Sequence, residues 1–152
     1  MERKIKLRDI AGYLPYGLKM KFAGTNDIRS DEAKIIKGIK SGESFYPILR
    51  PISYLNHPIT HNGKEIVPIV ELACLFMPNR NWNLYFNNAV CSQRVFGFEY
   101  GSFFYELEDI YAHVDNQYKL FDYLHELKID YRGLIDAGLA ISVYDLPENC
   151  YE

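Results

Sequence analysis

Cysteine is scarce in this sequence: the 152 residues contain three, Cys74, Cys91 and Cys150. An odd, widely spaced set without a C-x-x-C pair argues against a disulfide framework and against a thiolate zinc site. Long apolar runs are missing as well. None approaches the roughly 20 residues that carry a helix across a bilayer. The opening Met1-Glu2-Arg3-Lys4-Ile5-Lys6 is too polar for a signal peptide. These gaps exclude a secreted disulfide scaffold and a helical membrane protein, and they make a reducing cytoplasm the expected location.

Catalytic and cofactor motifs are also missing, and three near-misses show why. Gly12-Tyr-Leu-Pro-Tyr-Gly17-Leu-Lys19 is spaced like a phosphate loop, but Leu18 stands where the lysine must directly follow the second glycine, and no hydroxyl comes after it. A helix-to-strand turn accounts for the same glycines. His57 and His61 are four apart, which makes a metal pair only on a helix. Pro58 and the Asn62-Gly63 turn forbid one there, and no third ligand is in sight. His125-Glu126-Leu127-Lys128-Ile129 starts like a zincin helix and lacks the second histidine, so it reads as a helical surface His. There is no Gly-x-Ser-x-Gly, and the cysteines carry no nucleophile signature. No metal and no cofactor is expected; a small enzyme whose site is assembled from distant residues is the one catalytic alternative left.

What is present begins with aromatics, 15% of the chain, with 13 Tyr and 9 Phe. Tyrosine pairs an apolar body with a polar tip and suits half-buried positions and contact surfaces alike. Apolar residues at 48% and charged residues at 24% describe an ordinary globular chain of one-domain length, residues 1–152. The net charge of −3 is unevenly spread: residues 1–50 hold 11 Lys/Arg against 6 Asp/Glu, and residues 51–152 hold 6 against 14. Such asymmetry marks a basic face toward nucleic acid, an acidic face toward a basic partner, or a solvated surface whose halves complement each other.

Periodicity gives a coarse secondary structure. Leu7, Ile10 and Leu14 predict a short helix over 5–14, ended by Pro15 and Gly17. Leu18, Met20 and Phe22 alternate with Lys19 and Lys21 as a strand. Residues 25–32 read as a loop and Lys34–Lys40 as a second strand. Pro47 and Pro51 forbid a long ladder over 45–56 and favour a turn or helix start after Pro51. Residues 59–67 form an Asn-Gly hairpin, 69–77 a buried helix stopped by Pro78, and 94–105 a strand or bent pair. The Asn-rich stretch 79–93 is left unassigned, and acidic 106–114 reads as a loop. Leu120, Leu124 and Leu127 give the clearest helix, 116–128, with Asp115 as its N-cap. A helical turn follows from Asp130 to Gly138 as its C′ glycine, and Leu139, Ile141 and Val143 alternate as a last strand. The fold class is α+β: an antiparallel sheet with a short N-terminal helix and a C-terminal helical segment packed on it.

The basic first third carries the candidate binding surface. Lys19 and Lys21 share the polar face of one predicted strand; Arg29, Lys34, Lys37 and Lys40 follow on the neighbouring segment. If the two segments pair, the six cations make a patch for phosphates, RNA or an acidic protein surface. Lysines outnumber arginines among them, so contact would go to backbone charge more than to base edges.

Tyr13-Leu-Pro-Tyr-Gly-Leu-Lys19, Pro47-Ile-Leu-Arg-Pro-Ile52 and Asp130-Tyr-Arg-Gly-Leu-Ile-Asp-Ala-Gly-Leu-Ala-Ile141 resemble a family of small uncharacterised proteins from bacterial phages and prophages. The blocks are spread over most of the chain, and residues 53–115 match weakly. The resemblance implies no activity and no catalytic residues. It does imply a context, the host bacterial cytoplasm, in which small phage proteins act by binding. The expectation is a non-enzymatic binder that blocks a host or defence protein; a ribonucleoprotein such as a CRISPR effector with its guide RNA is one form. A nucleic-acid-binding accessory protein of phage replication using the lysine-rich surface is the alternative.

Overall fold

The computed structural model describes residues 4–25, 27–79, 96–107 and 110–152. The structure is α+β. In chain order it runs α1 (Leu7–Ile10), β1 (Met20–Phe22), β2 (Ile28–Arg29), α2 (Glu32–Lys40) and β3 (Phe45–Pro51). The hairpin β4 (Ile59–His61) and β5 (Lys64–Ile66) precedes α3 (Pro68–Phe76). A meander of β6 (Phe96–Glu99), β7 (Ser102–Leu107) and β8 (Ile110–His113) leads to α4 (Tyr118–Glu126), then β9 (Ile129–Asp130) and β10 (Ile141–Ser142). These elements form two compact units, one of residues 1–52 and 124–151, the other of residues 53–123 with Glu152. Most of 79–93 and the start of the 94–105 strand lie outside the described residues.

The first unit is built on β3. β1 pairs antiparallel along one side of it, and β2 extends that side. On the other side β10 pairs parallel at Ile48 and Leu49, and β9 parallel at Arg50 and Pro51. Two short parallel ladders are thus added to the expected antiparallel pairing. The core beneath holds Ile10, Tyr13, Leu18, Met20, Ile35 and Leu49, all nearly inaccessible.

Two expectations for this unit are corrected. Lys34–Lys40 is helix, not strand: the Asp31 carboxylate accepts from the Lys34 N–H (3.2 Å), Glu32 sits in the first turn, and Lys37 and Lys40 sit in the last. Capping and charges that complement the helix dipole outweigh the strand preference of Ile35-Ile36. The two prolines do not break β3 either. Ile48 N–H donates to Lys19 C=O (3.0 Å) and Ala23 N–H to Ser44 C=O (3.0 Å). With Met20 opposite Pro47, this leaves Pro47 at a non-hydrogen-bonded position facing β1, where no N–H is required. β10 begins pairing one residue later, and Pro51 is the last residue of the strand. The 25–32 loop also contains the two residues of β2.

The C-terminal turn follows expectation closely. Leu139 N–H donates to Leu134 C=O (2.9 Å) and Gly138 N–H to Ile135 C=O (3.0 Å). That pair of bonds closes a helical turn around a left-handed residue, and Gly138 has φ +75°. Its start is held by the buried Asp130 carboxylate, which accepts from Leu134 N–H (2.9 Å) and Ile135 N–H (2.8 Å).

In the second unit the Asn-Gly hairpin forms as expected, with Asn62 at φ +52° and Gly63 at +75°. Helix α3 starts with Pro68 in its first turn. One face of the meander is a phenylalanine cluster: Phe96 stacks on Phe76 and Phe103, and Phe103 meets Phe98 and Phe121 edge-on. The 106–114 segment is corrected from loop to strand over Ile110–His113, because each of these residues has a partner on β7 despite the surrounding acids. The α4 N-terminus is capped by Asn116, whose side chain accepts from Tyr118 N–H (3.2 Å), rather than by Asp115.

Gly38 lies inside α2. Helix propensity alone would favour alanine there by about 1 kcal/mol. A Cβ would run into the Phe45 ring and the Glu43 carboxylate. Glu43 is exposed and can swing away, but Phe45 is buried and edge-packed on Phe22 at 5.3 Å. Overpacking a core ring costs about 1–3 kcal/mol, so it outweighs the propensity gain. Gly38→Ala is expected to lower the urea midpoint with an unchanged slope; a raised midpoint would show that Phe45 yields freely.

Candidate functional site

The six cations of the expected patch have different fates. Arg29 lies over the rings of Phe22 and Phe45 (4.9 and 5.3 Å) and pairs with Asp27 (3.7 Å) and Glu43 (3.4 Å). Lys19 points its Nζ at the Cys150 carbonyl (2.6 Å) and is spent on holding the C-terminal segment. Lys21, half-buried on β1, lines a groove of about 440 Å³ with Asp145 and Glu148. Lys34, Lys37 and Lys40 are exposed at i, i+3, i+6 along α2. The pairing of two lysine-bearing strands that would have joined all six does not exist, since one partner is a helix.

A second group of cations surrounds Tyr151. Its hydroxyl accepts from Lys19 N–H (2.8 Å) and donates to Ile48 C=O (2.8 Å), tying the chain end across β1 and β3. Lys128 Nζ lies 4.8 Å from the ring centroid, the Arg50 guanidinium 5.7 Å and Lys19 Nζ 5.9 Å. Arg50 is 1% exposed, donates to Leu127 C=O, and is the bulkiest fully buried side chain of the described chain. Burial, then the Arg50 charge, holds the Lys128 amine below the usual lysine value. Lys128 is also in the left-handed region, φ +54°. Burial pushes the neighbouring Cys150 thiol up although Lys19, Arg50 and Lys128 pull it down, so it stays protonated at neutral pH rather than acting as an activated nucleophile.

The histidines are dispersed. His57 meets Tyr54 edge-on, His61 lies by Asn62, and His113 flanks Tyr111. His125 Nε2 is 2.6 Å from the Tyr131 hydroxyl, and its ring packs on Tyr13 and over Gly12, where any Cβ would collide with it. The phosphate-loop near-miss is therefore a packing site: Gly12 makes room for an imidazole, and Gly17 (φ +76°) turns the chain into β1. Among the described residues no group of three His, Cys, Asp or Glu side chains is placed to hold a metal ion, and no helix is long and apolar enough to cross a membrane.

The feature that residue-by-residue reading missed lies in the second unit. Large apolar side chains stand in solvent along the meander and the helix after it: Tyr100 is 97% exposed, Tyr111 58%, Tyr118 72%, and Ile110 is open as well. Glu99, Glu106 and Asp115 are exposed among them. The signal was in the sequence, because Phe96–Tyr118 holds five Asp/Glu and not one Lys or Arg. Split by unit, residues 53–123 hold 4 Lys/Arg against 8 Asp/Glu, while residues 1–52 with 124–151 hold 13 against 11.

No protein-family model matches the chain, and neither a curated protein nor a solved structure is similar to it.

Burial also sets an alkaline limit on the first unit. It pushes the Tyr13 and Tyr151 hydroxyls well above the ordinary tyrosine value. Above about pH 10 the unfolded chain releases these protons while the folded chain keeps them, so stability falls by about 1.4 kcal/mol per pH unit for each tyrosine. Lys128 works the other way, adding stability as pH rises toward about 10.5, because the unfolded chain there binds more protons. Two groups outweigh one, and urea unfolding across this range should show a net decline. Tyr13→Phe should make the decline shallower while losing the bond to Ile129 C=O (2.6 Å). A decline of unchanged slope would mean that Tyr13 ionises normally.

Proposed function

We propose that the protein acts by stoichiometric binding, engaging and blocking a protein of the bacterial host or of its defence machinery through the tyrosine-bearing, acidic surface of residues 96–118. The observation that carries this reading is the exposure of Tyr100, Ile110, Tyr111 and Tyr118 in a segment with no Lys or Arg. Exposed large apolar side chains rimmed by charge mark interaction sites, and tyrosine gives much contact area for little lost side-chain freedom. The resemblance of the three sequence blocks to small phage and prophage proteins supports the same reading. A defence ribonucleoprotein is one partner of suitable kind, since proteins that hold RNA present basic surfaces.

A second reading, nucleic-acid binding, is favoured by one observation only, the exposed row of Lys34, Lys37 and Lys40. Capture from host lysate with the tagged full chain separates the two. Under the first reading the captured protein survives nuclease treatment and is lost with Tyr100→Ala/Tyr111→Ala/Tyr118→Ala, a change expected to weaken binding at least about 100-fold if two of the three are hot spots. Capture abolished by nuclease, and by charge reversal at Lys34, Lys37 and Lys40, would establish the second reading instead.

A further inference from the structure

We infer that the outer edge of β8 is a docking edge for an extended, lysine- or arginine-bearing segment of a partner protein, which would add to the meander as a fourth strand. This deepens the binding reading above and rests on it. β8 ends the sheet order β6-β7-β8, and among the described residues nothing pairs with its outer side. The ladder fixes which groups are on offer. Val114 N–H donates to Phe103 C=O (3.0 Å), so Phe103 and Val114 are a hydrogen-bonded pair. Counting along the register, Tyr105–Ala112 and Leu107–Ile110 are hydrogen-bonded pairs, whereas Phe104–His113 and Glu106–Tyr111 are not. The main-chain N–H and C=O groups of Tyr111 and His113 therefore face away from β7.

Native sheets usually protect such an edge with lysine, proline or a bulge. β8 has none of these, and Ile110, Tyr111 and His113 are exposed. Charge selects the occupant. Glu106 lies directly across from Tyr111, and the surrounding segment carries five Asp/Glu and no Lys or Arg. A second copy of this chain would bring the same negative charge to the edge, and a nucleic acid would bring more. A basic extended segment is attracted, and its own main chain satisfies Tyr111 and His113 while alternate side chains reach Glu106 and the Tyr111 ring.

The test uses the full chain and two octapeptide probes, an alternating Lys-Val repeat and its Glu-Val counterpart. The Lys-Val peptide should bind, slow amide exchange of Tyr111 and His113 at least about ten-fold, and weaken several-fold between about 50 and about 300 mM salt. The Glu-Val peptide should not bind. His113→Pro deletes an outward N–H without touching the β7 ladder and should abolish the protection at Tyr111; Glu106→Lys, a surface change, should weaken binding about ten-fold if His113→Pro proves unstable. Three outcomes overturn the inference: no binding of the Lys-Val peptide, binding without protection of Tyr111 and His113, or amides already protected in the free chain in a concentration-dependent way, which would place a second copy on the edge. A nuclease-resistant partner captured through the tyrosines while the edge stays inert would leave the binding reading standing and remove only this one.

Discussion

The backbone of β3 is the constraint on which the first unit depends. It carries ladders on both sides, antiparallel to β1 on one and parallel to β10 and β9 in succession on the other. Its residues Ile48, Leu49 and Arg50 are nearly inaccessible. A strand buried on both faces is normally continuous in hydrophobic residues, and Arg50 departs from that. A buried guanidinium is tolerated only when its donors and its charge have company. Here the company comes from the chain segment after α4, through Leu127 C=O, and from the chain end, through the Tyr151 ring. Arg50 thereby links the order of β3 to the placement of residues more than seventy positions later.

Three sequence blocks, Tyr13–Lys19, Pro47–Ile52 and Asp130–Ile141, meet in this arrangement. All lie in the first unit. Pro47–Ile52 covers most of β3, with its two prolines in permitted places. Asp130–Ile141 supplies both parallel partners of β3 and the capped turn between them. Tyr13–Lys19 contributes a buried hydroxyl bonded to Ile129 C=O and the main chain that receives Tyr151. The blocks are therefore pieces of one packing solution rather than three sites.

Local chemistry made much of the fold legible. Asn62-Gly63 specified a hairpin because both residues must accept positive φ, and Gly138 specified the end of a turn for the same reason. The leucine stripe of α4 and the proline at the start of α3 worked in the same way. Failures came where tertiary pairing overrode composition. Acidic Ile110–His113 became a strand because β7 offered it a ladder, and Pro47 stayed in β3 because its missing N–H faced no acceptor on β1. Lys34–Lys40 shows a cap and dipole charges outweighing β-branched residues. The same difference removes the strand pairing that would have joined all six cations, since Lys34, Lys37 and Lys40 stand on a helix. The surface of residues 96–118 was legible as the absence of one charge sign, a property of a window and not of any single residue.

Within the second unit, the two faces of the three-stranded meander differ, although Phe104 is buried on the same face as Glu106, Tyr111 and His113. Phe96 and Phe103 are fully withdrawn into the aromatic cluster, and the opposite side keeps Glu106, Tyr111 and His113 in solvent. A three-stranded meander has barely enough area to be stable alone, so the phenylalanine face must be covered, here by Phe76 and Phe121. That covering fixes β7, and β7 fixes β8 through a ladder of four residue pairs. Among the described residues the outer edge of β8 is unpaired, and its inner edge is laddered to β7. Preorganisation of this kind lowers the entropic cost of taking up a partner. The acids beside it then set which partners approach and which are repelled.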